Sequence, residues 1–385
     1  MAGASIARPQ DVTSAINGNP ATLTQFHGTN FTIGAAWNES TVNLQHSGGV
    51  LPNLGSFSAK SQAQGVVPGN IGISQDFSAL GFPVTVGMGL FAIAGAGVDT
   101  AGVPQSNGTS LFGSFLHVTS GAGIDLTERL SAGATISLGT GTFDGLFVGS
   151  SRAVYDYALR GSIGLDYDLG CSTTLGAYYQ TKQSYTFNDA VSLDLGGGSF
   201  GPSLDIALDM PDNIGFGIAN ESLMDGNLLL AVDVLYKQWE NADLFRALYR
   251  NQWVVQVGSQ YTRGRKKFRL GYAYAENPID PNPGISAGGV TPPGAQAALE
   301  YTQALVGNIN KHRLSGGVGI HDILPGIDFD LMGGGQFRDS HQYGQFTSNS
   351  LASYWVGAGL TWRFSRGACE RMSVADNWGC DTHCN

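Results

Sequence analysis

Apolar and polar positions alternate along most of this chain. In residues 354–364 (YWVGAGLTWRF), every second position from Tyr354 to Phe364 is apolar, and the positions between them are mostly small or polar. Such alternation is typical of a β-strand with one apolar and one polar face, so the pattern predicts an all-β protein. Fourteen segments follow it, near residues 30–46, 69–77, 83–95, 111–127, 130–146, 153–168, 172–187, 203–219, 228–240, 250–262, 266–276, 311–322, 326–338 and 352–364.

The connections between these segments mostly alternate between long and short. The short ones are turns of two to five residues, and the long ones, rich in Gly, Pro, Asn and Ser, are 47–68, 96–110, 188–202 and 277–310. The segments exceed the ~5–6 residues of a typical soluble strand, and several apolar faces end in aromatic residues, as at a membrane interface. Because a sheet in hydrocarbon must close to pair its backbone groups, we predict a fourteen-stranded antiparallel transmembrane β-barrel with short periplasmic turns. A soluble all-β fold is the alternative.

Glycine and charge contents both favour the membrane barrel. The 385-residue chain contains 56 Gly, and 13% of its residues are charged, against the usual ~7% and ~25%. The net charge of −10 argues against a nucleic-acid partner, since phosphate contacts need a basic surface. The long apolar run at 77–98 contains Pro83 and keeps period two, so we expect a strand there rather than a membrane-spanning helix. The predicted location is the outer membrane of a Gram-negative-type bacterium.

Several segments resemble one protein family in their order and spacing. Residues 11–37 contain the motif Asn19-Pro20-Ala21, and the later segments are LDMPDNIGFGIAN at 208–220, LAVDVLYKQWENAD at 230–243 and FRLGYAYAENPID at 268–280. In these segments the chain resembles the FadL/TodX-type transporters of long-chain fatty acids and other hydrophobic compounds. The resemblance implies a small N-terminal hatch that plugs the barrel, with Asn19, Pro20 and Ala21 as its motif. It also implies passive uptake of hydrophobic molecules, which leave sideways beside a kinked third strand.

The resemblance divides the chain into a hatch at 1–28, a barrel at 29–364 and a cysteine-containing periplasmic tail at 365–385. Relative to the family the sequence begins inside the hatch, so we expect the start of the hatch to be truncated. Gly95 and Gly97 follow the third strand. Glycines there suit either a lateral opening or an ordinary transition from strand to loop.

The outer loops depart from the family pattern. The loops at 147–152 and 188–202, which correspond to the family's docking groove, are shorter here than the resemblance implies, and 277–310 is the longest loop. We therefore expect a docking site built from other loops, or a different cargo.

Apolar side chains at inward positions predict a hydrophobic path through the lumen. In a general porin such positions should be mostly polar. The candidates are Phe91, Ile93, Phe143, Tyr178, Leu235, Trp239 and Trp355; the alternative interpretation is that they pack against the hatch. The inward cations Arg160, Lys237 and Arg313 are candidate contacts for a carboxylate headgroup. The alternative is that they pair with carboxylates or with the hatch, as we expect for most inward charges.

Four cysteines are predicted to lie on the periplasmic side. They are Cys171 in a short turn and Cys369, Cys380 and Cys384 in the tail. In an oxidising compartment two disulfides are expected, with three connectivities open. A metal site with His383 is the alternative. We assign no metal and no cofactor.

The sequence favours transport over catalysis. The seven histidines are scattered, and no arrangement of nucleophile, base and acid stands out, so we expect no enzyme activity. We predict a monomeric channel for passive uptake of long-chain fatty acids or hydrocarbons, with this cargo and outer-membrane lipid as its partners. The alternatives are a general porin for hydrophilic solutes and a structural or adhesive barrel whose 277–310 loop binds a partner.

Overall fold

The chain is built almost entirely of antiparallel strands. The computed structural model describes residues 1–48, 51, 53–146, 149–151, 153–196, 199–284, 295–307, 309 and 311–364. Their strands are β1 Thr29–His46, β2 Phe57–Lys60, β3 Gly69–Asp76, β4 Val84–Asp99, β5 Ser110–Asp125, β6 Leu130–Leu146, β7 Gly149–Ser151, β8 Val154–Gly170, β9 Thr173–Gln180, β10 Gln183–Gly196, β11 Ser199–Met210, β12 Asn213–Leu223, β13 Leu228–Lys237, β14 Gln252–Arg263, β15 Lys266–Ala275, β16 His312–Leu324, β17 Ile327–Tyr343 and β18 Thr347–Arg363. The α-helices are α1 Val12–Asn17 and α2 Ala295–Leu305, and the 3-10 helices are Pro20–Gln25, Ser78–Leu80, Pro104–Ser106, Trp239–Asn241 and Phe245–Ala247. Among these residues, no helix is long and apolar enough to cross a membrane.

Fourteen of the described strands form a closed ring. Their order is β1, β3, β4, β5, β6, β8, β9, β12, β13, β14, β15, β16, β17, β18. The last strand returns to the first, because β18 pairs with β1 from Arg363 opposite Asn30 to Thr347 opposite His46. Closure gives both edge strands a partner, as a sheet in hydrocarbon requires. The predicted all-β class and the fourteen-stranded antiparallel barrel are confirmed.

The apolar faces of the barrel strands point outward. In the closing strand β18, the large apolar side chains of Tyr354 and Val356 are 54% and 62% exposed. On β8, Leu159 and Ile163 are exposed in the same way. Soluble monomers rarely expose apolar surface on this scale, whereas a lipid-facing barrel wall consists of it. The ring is therefore a transmembrane barrel, and the apolar run at 77–98 contributes β4 to it.

Two of the predicted strands are wrong in extent, because each is broken in two. The segment 172–187 forms β9 and β10, and the segment 203–219 forms β11 and β12. β10 and β11 leave the ring, pair with each other and, with β7, make a separate three-stranded sheet. Much of the predicted loop 188–202 is therefore strand.

The chain leaves the wall where it cannot continue the ladder. Pro211 has no N–H to donate to a neighbouring strand, and the Asp212 carboxylate accepts from the Lys182 N–H at 3.0 Å instead. The β10–β11 hairpin leans inward, since Tyr185 and Phe187 pack on the luminal faces of β5, β6 and β8. Strands β9 and β12–β15, which are 8 to 12 residues long, thus form a low side of the barrel next to the 17-residue β8.

An apolar cap covers the end of the barrel that carries the long connections, here called the outer end. Helix α2, part of the predicted loop 277–310, packs in its core. The buried side chains of the cap are Val42, Leu44, Leu51, Leu54, Phe57, Val98, Trp239, Leu248, Tyr249, Ile279, Tyr301, Ala304, Leu305, Ile309 and Tyr343. The hydroxyls of Tyr301 and Thr109 lie 2.9 Å apart, and burial raises the pKa of Tyr301 to about 12, so this phenol stays protonated. Three residues pack against both the cap and the hairpin: Leu111, Leu244 and Phe245.

Candidate functional site

Residues 1–28, here called the N-terminal segment, lie inside the ring. Its two helices pack against β3, β4, β5, β6 and β8. The Asn19 side chain caps the 3-10 helix by accepting from the Ala21 N–H at 3.2 Å. The same side chain donates to the carbonyls of Ile6 and Leu165, each at 2.9 Å. Because Asn19, Pro20 and Ala21 are buried, the predicted motif fixes the segment both to itself and to β8.

Wall glycines leave room for this motif. A Cβ atom on Gly133 would overlap the backbone of Pro20 and Ala21, and one on Gly164 would overlap the Asn19 side chain. The close approach of the two backbones therefore depends on the missing side chains.

Replacing one of these glycines should loosen the N-terminal segment. We expect Gly133→Ala to destabilise its packed state by roughly 1–3 kcal/mol, the usual cost of overpacking, and to speed chymotryptic cleavage after Phe26. The matched control is Gly161→Ala, whose Cβ would meet only the Thr181 methyl group at 3.9 Å. Equal cleavage rates for the two variants would show that the segment does not depend on this contact.

Most inward charges are compensated, as predicted. The Asp233 carboxylate accepts from the Ser5 and Ile6 N–H groups at 2.6 and 2.9 Å, which ties β13 to the N-terminal segment. Arg269 forms an ion pair with Asp330 across the lumen-facing side of the wall.

Three inward cations have been predicted as headgroup contacts, and they are here called the cation trio: Arg160, Lys237 and Arg313. Arg160 is 6% exposed and donates to the carbonyls of Thr181 and Pro211, each at 2.6 Å. These carbonyls lie at the two points where the hairpin leaves the wall. Two strands of the ring separate β13, which carries Lys237, from β8 on one side and from β16 on the other, and the positive charges of Arg160 and Arg313 both act on Lys237.

Among the described residues, no carboxylate forms an ion pair with the cation trio. Asp212, whose charge acts on Arg160, already accepts two hydrogen bonds. The Arg313 Nε atom is buried without a hydrogen-bond partner, and the Lys237 ammonium lies 6.0 Å from the centre of the Trp239 ring. Desolvated charge without a partner is costly, and an anionic ligand relieves that cost.

The predicted path residues lie in separate places. Phe91 and Ile93 pack against the N-terminal segment, which supports the packing interpretation for this pair. Phe143 stacks on Phe187 of the hairpin, with ring centres 5.4 Å apart. Their role as a ligand path stays a prediction.

The other path residues surround the cation trio and the cap. Trp239 belongs to the cap and donates to Gln252 at 3.2 Å. The Tyr178 ring lies against Gly215. Leu235 lies on β13, two residues before Lys237, and is half-buried.

A cavity of about 480 Å³ separates the N-terminal segment from β16, β17, β18 and β1. Asp11 and Thr13 line it on one side, and Arg313, Asp330 and Trp355 line it on the other. Because Arg313 also belongs to the cation trio, a ligand whose anionic group meets the trio has room for part of its body here.

The predicted third strand, β4, has a gap beside it. β3 pairs with β4 only between Phe91 and Thr85, and the pairing of β4 with β5 shifts register between Ala92 and Ala94. β4 continues to Asp99, so Gly95 and Gly97 lie within the strand, and the predicted strand-to-loop transition at these glycines is wrong. The irregularity precedes them, as a bulge at Ile93. In the described residues, the outer half of β4 has a strand neighbour on the β5 side alone.

The cysteine prediction is largely untested. Cys171 lies in the β8–β9 turn with a φ of 50°, while Cys369, Cys380 and Cys384 lie outside the described residues. The described residues bring together a group that could hold a metal, His321, Asp322 and Asp328. The Arg363 guanidinium donates to both carboxylates, at 2.7 and 2.9 Å, and so supplies positive charge at this group.

The inward side chains of the hairpin are not among the predicted site residues. Gln183, Tyr185 and Phe187 alternate with exposed Ser184 and Thr186, as they would in the barrel wall. The signal that distinguishes them is the proline at the end of the hairpin, which interrupts an otherwise continuous pattern.

No protein-family model and no curated protein matches this chain by sequence. Solved structures do match it. A Pseudomonas aeruginosa FadL homologue has a TM-score of 0.70 at 12% identity, over 94% of this chain and 96% of that one. The toluene transporter TodX of P. putida has a TM-score of 0.66 at 17% identity (92% and 95%). The Ralstonia pickettii toluene transporter TbuX has 0.64 at 16% (94% and 97%). Likeness at these identities concerns the fold, and the chain is accordingly an outer-membrane-type barrel with the FadL/TodX-type fold.

Proposed function

We propose that this protein is a passive channel for hydrophobic molecules that carry a carboxylate, such as long-chain fatty acids. The observation that carries the proposal is the cation trio, which has no carboxylate partner among the described residues. A charge-assisted bond to a carboxylate is stronger than a bond between neutral groups. An uncharged hydrocarbon, such as the toluene named for TodX and TbuX, would leave the trio without a carboxylate partner.

The closures of the lumen favour this function over a general porin. The N-terminal segment packs across the lumen at one level, and the cap with the hairpin forms an apolar layer at the outer end. A hydrophilic solute would have to cross both. Helix α2 also weighs against an adhesive role for its part of the 277–310 loop, because Tyr301, Ala304 and Leu305 are buried in the cap.

The hatch and the lateral exit belong to the same proposal. The N-terminal segment acts as the plug, and cargo leaves the lumen through the gap beside β4. The bulge at Ile93 and the early end of β3 support this exit. Where β3 no longer pairs with β4, cargo could pass between the strands without breaking any backbone hydrogen bond between them.

Uptake by whole cells tests the proposal. We expect the protein to support uptake of radiolabelled oleate in a Gram-negative host that lacks its own fatty-acid channel, and not to increase uptake of a disaccharide. Toluene uptake without oleate uptake would reassign the cargo to uncharged hydrocarbons. Disaccharide uptake without oleate uptake would contradict the proposal in favour of a porin.

A further inference from the structure

The barrel wall has a step beside β8. β9 pairs with β8 only between Ser162, opposite Gln180, and Gly170, opposite Thr173. Among the described residues, residues 154–161 therefore have a strand neighbour on the β6 side alone. Both backbone groups of Gly161 bond to Thr181, so the free edge comprises residues 154–160 and is about 23 Å long at ~3.3 Å per residue. A free strand edge of this length needs another cover.

The β10–β11 hairpin covers the edge from inside, through side chains instead of a ladder. The Gln183 amide donates to the Ala158 carbonyl at 2.8 Å. The Thr186 N–H donates to the Asp156 carboxylate at 2.6 Å.

Aromatic packing completes this contact, but its hydrogen bonding is incomplete. The rings of Tyr185 and Phe115 lie 5.3 Å apart, and Phe187 stacks on Phe143. The Tyr185 hydroxyl is buried without a hydrogen-bond partner. Each unpaired polar atom that water could reach after opening favours separation of the hairpin from the wall.

Arg160 links the hinge of this hairpin to the cation trio. Its guanidinium holds the carbonyls of Thr181 and Pro211, one at each end of the hairpin. A carboxylate that reaches Arg160 competes with these carbonyls and is the stronger acceptor. On the outer face of the same edge, Tyr155 and Tyr157 are 68% and 59% exposed and offer aromatic surface at a membrane interface.

We infer that the hairpin is a lid over a side entrance at the step beside β8. Fatty carboxylates enter there from the outer surface of the membrane, and their carboxylate reaches Arg160 first and releases the hinge. This entrance lies apart from the gap beside β4, and its role rests on the proposed fatty-acid cargo. It also supplies the access that the cap denies at the outer end.

A reversible tether tests the lid. In a background with all four cysteines changed to serine, Asp156→Cys and Thr186→Cys are joined by a short thiosulfonate cross-linker, which ties the hairpin to β8. The control pair, Thr186→Cys with Ala207→Cys, joins two paired hairpin strands and leaves the lid free. Oleate uptake by whole cells and oleate binding to the purified protein are measured before and after reduction.

We expect the wall tether to lower oleate uptake at least fivefold, reduction to restore it, and the control pair to retain it. Full uptake with the wall tether in place would overturn the lid and leave the proposed function standing. An equal loss of oleate uptake with the wall tether and with the control pair would also overturn the lid, because stiffening of the hairpin alone would then explain the loss. If the cysteine-free background protein neither binds nor takes up oleate, both the proposed fatty-acid cargo and the lid are contradicted.

Discussion

Lys237→Met is expected to weaken oleate binding by roughly ten- to a hundredfold. A hydrogen bond to a charged group contributes roughly 1.5–3 kcal/mol, and each 1.4 kcal/mol changes an affinity about tenfold. Methionine keeps most of the length and apolar body of the side chain, so packing against Trp239 is largely retained. The double variant with Arg313→Met should lose more than either single variant. Titration of the purified protein with spin-labelled fatty acid measures both.

A compensated cation on the same side of the barrel provides the control. Lys311 lies two residues before Arg313 and pairs with Asp339 at 3.1 Å, so Lys311→Met should change the affinity by less than threefold. Binding of the methyl ester of oleate should respond to none of the three substitutions. If Lys237→Met and Lys311→Met weaken oleate binding equally, the trio is not the headgroup site.

Opening both closures together should make the barrel permeable to sugars. Asp233→Ala removes the acceptor of two N–H groups of the N-terminal segment, at roughly 1.5–3 kcal/mol for each bond. Tyr301→Ala removes a fully buried ring from the cap, a loss of the order of 3–5 kcal/mol. Because the closures act in series, each single variant should stay within about twofold of the wild-type rate of liposome swelling. The double variant should exceed that rate by roughly tenfold or more.

The conservative variant Asp233→Asn sharpens this test. Its side-chain carbonyl still accepts a hydrogen bond, so in the Tyr301→Ala background it should leak less than Asp233→Ala. A single variant that already passes sugars freely would show that the other closure does not seal. If the double variant swells liposomes at the wild-type rate, neither the N-terminal segment nor the cap closes the lumen.

The barrel was predictable because period-two alternation has the same meaning in every strand of the wall. The breaks in two of the strands could not be predicted in the same way. Tyr185 and Phe187 keep the same alternation although they belong to a hairpin that has left the barrel wall. At this place the local pattern describes a two-sided strand and leaves open which sheet it joins. Helix α2 was read as loop because its eleven residues lie within a long, glycine-rich connection.

The candidate site was predictable in its parts and not in its assembly. Each cation of the trio could be predicted to face inward from the alternation of inward and outward positions along its own strand. That Lys237 lies near the other two depends on ring order and register, which a single sequence does not determine. Phe91 and Phe143 look equivalent in sequence, yet one packs on the N-terminal segment and the other under the hairpin.

The central claim is that an acyl carboxylate occupies the lumen at the cation trio. Native mass spectrometry of the purified barrel after exposure to oleate measures this directly. We expect the wild-type protein to retain oleate and the variant with methionine at Arg160, Lys237 and Arg313 to retain none, while both keep the heat-resistant mobility of a folded barrel. Equal retention by the two proteins, or none by either, would contradict the account.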